Sequence, residues 1–161
     1  MAPDYIFRAM TAADLPLVQR WLALPHVMEW WGEPEEQYAL LSGDLHEPSM
    51  DQFIFSTAGR PLGYLQCYDL AGSTTAFGRQ PHGTRGIDLF IGEPNMIGRG
   101  HGSALIRCFV DELVQNGLPR VMSDPDPANV RGVRAYEKAG FQKDRVIKTP
   151  DGAALLMVRN R

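Results

Sequence analysis

Cysteine is scarce in this chain. Cys67 and Cys108 stand far apart with no paired spacing. That argues against a disulfide framework and against a cysteine-based zinc site, and it fits a reducing cytoplasm. No apolar run approaches the roughly 20 residues of a membrane helix. Residues Met1 to Phe7 lack the charged start and apolar core of a signal peptide. Basic charge is not in excess: 16 Lys and Arg against 19 Asp and Glu give a net charge of -3 and a pI near 5.8. A nucleic-acid footprint is therefore not expected. There is no internal repeat, low-complexity tract or domain linker. What remains, 44% hydrophobic and 22% charged residues, is the balance of a soluble globular protein. Its 161 residues predict one domain, 1–161, with a sizeable core.

The pattern along the chain alternates strands and helices. Ile6–Ala9 reads as a first strand. Thr11 and Asp14 form a Thr-x-x-Asp cap for a helix to about Leu24, with Leu15, Val18 and Leu22 at helical spacing. Pro25 ends it. A Gly/Pro-bounded loop, His26 to Pro34, follows and carries Trp30 and Trp31 side by side. Adjacent residues on a turn point apart, so one of the pair is expected to pack inward. Core filling is one reading and an aromatic ligand wall the other. His26 has no partner at ligand spacing except Glu29, which favours a structural role. Glu35 to about Leu45 reads as a second helix, and Gln52–Thr57 and Leu62–Tyr68 as a hairpin around Ala58–Pro61. Residues Asp69 to Thr84 read as a long loop, a length often tied to function.

Arg85–Gly92 reads as the central strand. Asp88 sits in its middle, and a carboxylate among apolar strand residues needs a partner or a task. A paired structural aspartate and a catalytic or cation-binding one are equally weighted readings. Behind it comes Ile97-Gly98-Arg99-Gly100-His101-Gly102-Ser103, then a helix to about Asn116 with Leu105, Ile106, Phe109, Val110, Leu113 and Val114 on its buried side, where Cys108 is also expected. Strand, glycine loop and helix is an arrangement that turns backbone N–H groups toward a phosphate. The loop lacks the Gly-Lys-Ser/Thr of a Walker loop. It also lies too late in the chain for a dinucleotide fingerprint. Acetyl-coenzyme A is the third possible tenant. A short strand Arg120–Asp124, a helix from Ala128 or Asn129 to Ala139, and a final hairpin across Thr149–Gly152 complete the pattern. Asn129 and Tyr136 lie two helical turns apart and share a face, so an amide and a phenol project together.

The glycine loop, followed by Asn129 to Phe141 with its Ala-Tyr-Glu-Lys-Ala-Gly-Phe, resembles the GNAT superfamily of acyl-CoA N-acyltransferases. Within it the chain is similar to the aminoglycoside 6′-N-acetyltransferases. The matching segments are Glu29–Gly32, Glu36–Tyr38, Gly63-Tyr64, Arg85–Asp88, Ser123–Pro125 with Asn129, and Thr149–Gly152. The resemblance implies a mixed α/β fold: a mostly antiparallel sheet of six or seven strands with splayed central strands and about four flanking helices. It implies acetyl-CoA as co-substrate, no metal, a small-molecule amine as partner, no membrane, and a monomer or homodimer. By the same resemblance, Ile97, Gly98, Arg99, Gly100, His101, Gly102 and Ser103 would hold the pyrophosphate, with Asn129 and Arg134 also on the coenzyme. The backbone of Leu89, Phe90 and Ile91 would hold the pantetheine and polarise the thioester. Asp88 would be the general base and Tyr136 the acid for the leaving thiolate. Trp31, Tyr38, Asp88, Asp124 and Asp151 would line the acceptor site.

Elementary chemistry asks for the same parts. An amine attacks a thioester only when neutral, so its ammonium proton needs an acceptor. The tetrahedral oxyanion needs a donor. No covalent enzyme intermediate is required, so neither cysteine needs to be catalytic. Two departures bear on the acceptor. Ile97 stands where the superfamily usually has Arg or Gln, and the aminoglycoside branch shares an apolar residue there. The loop 71–83 carries Arg79 and no acid, where that branch carries acids and tryptophan, leaving Asp69 alone to meet a polycation. Three functions follow: an aminoglycoside-like N-acetyltransferase, a GNAT enzyme for another amine such as a siderophore hydroxylysine or small metabolite, or a noncatalytic acyl-CoA-binding module. Asp88 with Tyr136 separates the enzymes from the binder, which needs neither.

Overall fold

A computed structural model describes residues 4–70 and 76–161. Residues 71–75 of the acid-free loop, and Met1–Pro3, lie outside the described residues. Among the described residues seven strands and five α-helices follow in order: β1 (Tyr5–Ala9), α1 (Leu15–Leu22), α2 (Pro25–Trp31), α3 (Pro34–Gly43), β2 (Met50–Thr57), β3 (Arg60–Asp69), β4 (Arg85–Ile91), α4 (His101–Gln115), β5 (Arg120–Ser123), α5 (Val130–Lys138), β6 (Gln142–Thr149) and β7 (Gly152–Asn160). The strands form one sheet in the order β1-β2-β3-β4-β5-β7-β6. The β1–β2, β5–β7 and β6–β7 pairs are antiparallel, and β4–β5 is parallel. This is the mixed, mostly antiparallel α/β sheet expected.

Residues divide into two compact units, 1–67 with 89–98, and 68–88 with 99–161. The first holds α1, α2, α3, β1 and β2. Arg8 clamps Asp14 with two 2.8 Å bonds, and Asp14 accepts from the Thr11 N–H at 2.9 Å, so the expected cap is formed. Val18, Trp21 and Leu22 of α1, Val27 of α2 and Leu41 of α3 pack with Ile54, Tyr64 and Phe90. The β2–β3 turn has φ of 50° at Ala58 and 76° at Gly59, the pair of positive values that suits the twist of a tight hairpin.

The helix α2 is the element that the sequence pattern conceals. Pro25 reads as a stop for α1, but it occupies the first turn of a new helix, where its fixed φ and missing N–H cost nothing. Trp30 and Trp31 are therefore consecutive helical residues. Trp31 is half-buried against the core and Trp30 is 41% exposed, so one of the pair does pack inward.

In the second unit α4 and α5 pack together, and Leu70, Phe77, Met122 and Leu156 form a second core. Leu105, Ile106, Phe109, Val110 and Val114 bury one arc of α4 as expected, but Cys108 is exposed. It falls beside Arg107, off the arc that Leu105, Ile106, Phe109 and Val110 define at 100° per residue. Arg159 of β7 ties the unit together: it donates to Asp111 of α4 at 2.6 Å and to the Ala139 carbonyl that ends α5 at 3.1 Å. Among the described residues no helix is long and apolar enough to cross a membrane.

Candidate active site

The parallel β4–β5 ladder sets Arg85 opposite Val121 and Gly86 opposite Met122. Two residues beyond these stand Asp88, within β4, and Asp124, just past the end of β5, on one face because side chains alternate with period two. Their carboxyls hydrogen-bond each other. Two carboxylates cannot do so without a proton between them. Burial first, then the charge of Asp88 and the bond to it, push the Asp124 pKa up to about 8. With its pKa raised this far, the Asp124 side of the pair favours the protonated form at neutral pH.

Two phenols complete this cluster. Tyr68 of β3 donates to Asp88, and burial and the neighbouring carboxyls raise its pKa well above the usual phenol value. Tyr136 of α5 is buried edge-on against Phe141, with ring centroids 5.2 Å apart. Burial, then the charges of Asp88 and Asp124, raise its pKa well above 10 as well, so it keeps its proton. Ser123 Oγ is fully buried and makes no well-formed hydrogen bond among the described residues, yet it lies near enough to the Tyr136 hydroxyl to oppose that rise. A buried hydroxyl left in this way marks room for a water or a ligand atom. Two carboxyls, two phenols and a buried hydroxyl thus share one locality.

The glycine loop takes the geometry of an anion site. Gly98 (φ 77°) and Gly100 (φ 82°) are left-handed, and Arg99 between them is not. Such alternation turns successive N–H groups to one side. Ile97 is extended, and Gly100 is the N-cap of the 15-residue α4, with His101, Gly102 and Ser103 supplying first-turn N–H groups. Gly102 serves differently: its α-carbon faces Ala135 of α5, where an added Cβ would sit at an ordinary 3.6 Å. Arg99 and Arg134 are exposed. Asn129 is the N-cap of α5, with Oδ1 accepting from the Gly132 N–H at 3.0 Å. Capping occupies that oxygen and leaves the Nδ2 side of the amide for any coenzyme contact.

The first unit holds the other expected residues. Phe90 of β4 is the hub of an aromatic group, stacked on Tyr64 with centroids 5.6 Å apart and edge-on to Trp31 at 5.1 Å and Trp21 at 6.1 Å. Tyr38 of α3 packs half-buried against the same core. Leu89 and Ile91 flank Phe90 on the strand. Asp151 lies apart, exposed in the β6–β7 turn, where its N–H meets Thr149 Oγ1 at 3.2 Å. It takes no part in the interactions that shift Asp124, Tyr68 and Tyr136.

Tyr68 and Ser123 are absent from the residues singled out by sequence. Tyr68 leaves one signal. Gly86 sits inside the central strand, and a strand glycine often admits a close neighbour. A Cβ on Gly86 would fall 2.4 Å from the Tyr68 ring. Ser123 leaves only its place in the Ser123–Pro125 segment that resembles the aminoglycoside enzymes, since a serine in a short strand is otherwise ordinary.

Sequence comparison bears on this geometry directly. The Acetyltransferase (GNAT) domain family matches residues 10–149. The chain belongs to the GNAT acetyltransferases. It is 36% identical to an aminoglycoside N(6')-acetyltransferase type 1 of Klebsiella pneumoniae, over 96% of this chain and 82% of that protein. The crystal structure of the aminoglycoside acetyltransferase AAC(6')-Ib with coenzyme A is similar at a TM-score of 0.87 and 35% identity, covering 98% of this chain and 95% of the other. The same enzyme with coenzyme A and kanamycin matches at a TM-score of 0.84, 35% identity and the same coverage. This acetyltransferase thus carries its family's fold across nearly its whole length.

Proposed function

We propose that this GNAT acetyltransferase moves the acetyl group of acetyl-CoA to a primary amine of a polycationic, aminoglycoside-type acceptor by direct attack, as one acyltransferase domain. The observation that carries the reading is the Asp88–Asp124 pair beside Tyr136, in a chain 36% identical to an aminoglycoside 6′-acetyltransferase. The left-handed glycines and the α4 N-terminus suit a pyrophosphate. Asp88, the ionised member of the pair, accepts the ammonium proton directly or through water. The amine nitrogen bonds to the acyl carbon as the C–S bond breaks. Tyr136 hands its proton to the sulfur, and the second proton that the nitrogen sheds as the amide forms restores the phenol, directly or through water. Trp31, Tyr38, Asp124 and Asp151 are assigned to the acceptor, and the free thiols of Cys67 and Cys108 suit a reducing cytoplasm.

One observation favours a second acceptor class. The described part of the loop before β4, residues 76–84, carries Arg79 and no acid. An amine with fewer positive charges, such as a siderophore hydroxylysine, loses less there.

Free thiol release from acetyl-CoA, followed over a panel of 6′-amino aminoglycosides and other primary amines, decides between them. Turnover with kanamycin and not with lysine-type amines is expected. The reverse pattern transfers the reading to the second class, and no thiol release with any amine rejects both. With the active amine, Asp88→Asn is expected to lower kcat by about 10²- to 10⁴-fold. Tyr136→Phe is expected to lower it as well, each at near-unchanged acetyl-CoA affinity. Normal turnover in both variants leaves only the binding module.

A further inference from the structure

His26 stands in the first turn of α2, part-buried, with Nε2 2.9 Å from the carbonyl oxygen of Ile91, the last residue of β4. A carbonyl oxygen only accepts, so Nε2 carries a proton and donates it. The peptide unit from Ile91 to Gly92 is gripped at its other end too: the Gly92 N–H donates to the Leu62 carbonyl at 2.7 Å. Its α-carbon is enclosed as well. A Cβ on Gly92 would fall 2.2 Å from the Trp21 ring, and one on Gly63 would fall 2.1 Å from the Phe90 carbonyl. Side chains from α1 and α2 and the backbone of β3 therefore converge on a single peptide. Packing alone explains the tryptophan and the glycines. It does not explain an imidazole aimed at a strand-end carbonyl.

The N–H and carbonyl of one strand residue point to the same edge, and successive residues alternate. Phe90 turns its carbonyl to Gly63 of β3, so Ile91 turns both its N–H and its carbonyl to the opposite edge. We propose that His26 is a positioning residue for acyl transfer, holding the Ile91 carbonyl so that the Ile91 N–H on the same edge is presented to the thioester oxygen. The proposal rests on the reading above, in which the Leu89–Ile91 backbone holds the acyl-pantetheine arm. Negative charge grows on the thioester oxygen as the amine adds. A fixed N–H dipole stabilises that charge without reorganising, and an unpaired carbonyl beside it opposes it. His26 meets both requirements from outside the reacting atoms. It orients the donor, and it engages the Ile91 oxygen beside that donor, which would otherwise repel the developing charge.

The test compares wild type, His26→Phe and His26→Gln. Phenylalanine keeps a ring and loses the donor, whereas glutamine places an amide N–H about where Nε2 stands. Steady-state kinetics use acetyl-CoA with the amine that the panel identifies, and calorimetry gives the Kd of free coenzyme A, which has no acyl oxygen. His26→Phe is expected to lower kcat by about 10- to 100-fold, as for a misplaced oxyanion donor. Its coenzyme A Kd is expected to stay within about threefold of wild type, and His26→Gln to recover most of kcat. Unchanged kcat in His26→Phe overturns the proposal while leaving the coenzyme reading intact. Parallel losses of kcat, coenzyme A affinity and melting temperature in both variants overturn it in favour of a purely structural histidine. A wild type that binds no coenzyme A removes the reading itself, and this proposal with it.

Discussion

Burial beside Asp88 raises the Asp124 pKa to about 8, so at neutral pH an approaching cation meets less negative charge than two acids in the sequence suggest. A cationic acceptor favours the doubly ionised pair and drives the Asp124 proton off. Below pH 8, acceptor binding is therefore expected to release up to about one proton. Calorimetry of kanamycin binding in two buffers of different ionisation enthalpy measures that number, and Asp124→Asn should abolish it. Proton uptake, or release unchanged in the variant, contradicts the shared-proton pair. Stability carries the same signature. The folded pKa lies above the unfolded one, so the folded state binds more protons between about pH 4 and 8, and stability falls as pH rises through that window. Asp124→Asn, which mimics the protonated acid, should flatten the decline. The dyad was half legible in the sequence. Asp88 announced itself as a carboxylate in an apolar strand, whereas the proton on Asp124 depends on a neighbour that only the parallel register supplies.

The absence of a side chain is needed at Gly86 within β4 and at Gly92 just past its end, and the consequences differ from those at the helix that follows. Gly92 faces Trp21, only 3% exposed and unable to retreat. Gly92→Ala is expected to cost about 1–3 kcal/mol through overpacking. Gly102, in the first turn of α4, has a negative φ and 3.6 Å of room before Ala135. Gly102→Ala should be neutral or stabilise by up to about 1 kcal/mol, because alanine loses less backbone entropy in a helix. Urea unfolding of the two variants checks the contrast, and equal midpoints would refute it. Sequence reading treats the glycines of the 98–102 loop as one motif. The structure separates Gly98 and Gly100, which need a left-handed backbone, from Gly102, which does not. The helix α2 was missed for a related reason. Proline and glycine mark chain reversals in general, and only the backbone shows that Pro25 starts an element. The β-strands were easier to read, since β2 to β5 are bounded by turn residues and alternate as strands do.

The boundary between the two compact units falls inside β3, after Cys67, and inside β4, after Asp88. Each of these strands is continuous through both units, so neither unit can melt without breaking strands that the other uses. The chain of 161 residues is thus expected to unfold in one step, with an enthalpy of about 110 kcal/mol at the midpoint. The aromatic residues make this testable without labels. Trp21, Trp30 and Trp31, all three tryptophans of the chain, lie in the first unit. Tryptophan fluorescence therefore reports that unit alone, while far-UV circular dichroism reports the helices of both. Coincident melting curves are expected. Acetyl-CoA at about 100 times its Kd should move both curves together, adding about 2.7 kcal/mol, or roughly 5–10 °C. Under the proposed function, the loop residues from Arg99 on and α4, which would meet the pyrophosphate, lie in the unit without tryptophan. A shift in circular dichroism without one in fluorescence would therefore show two units that melt separately, and would refute the single cooperative fold.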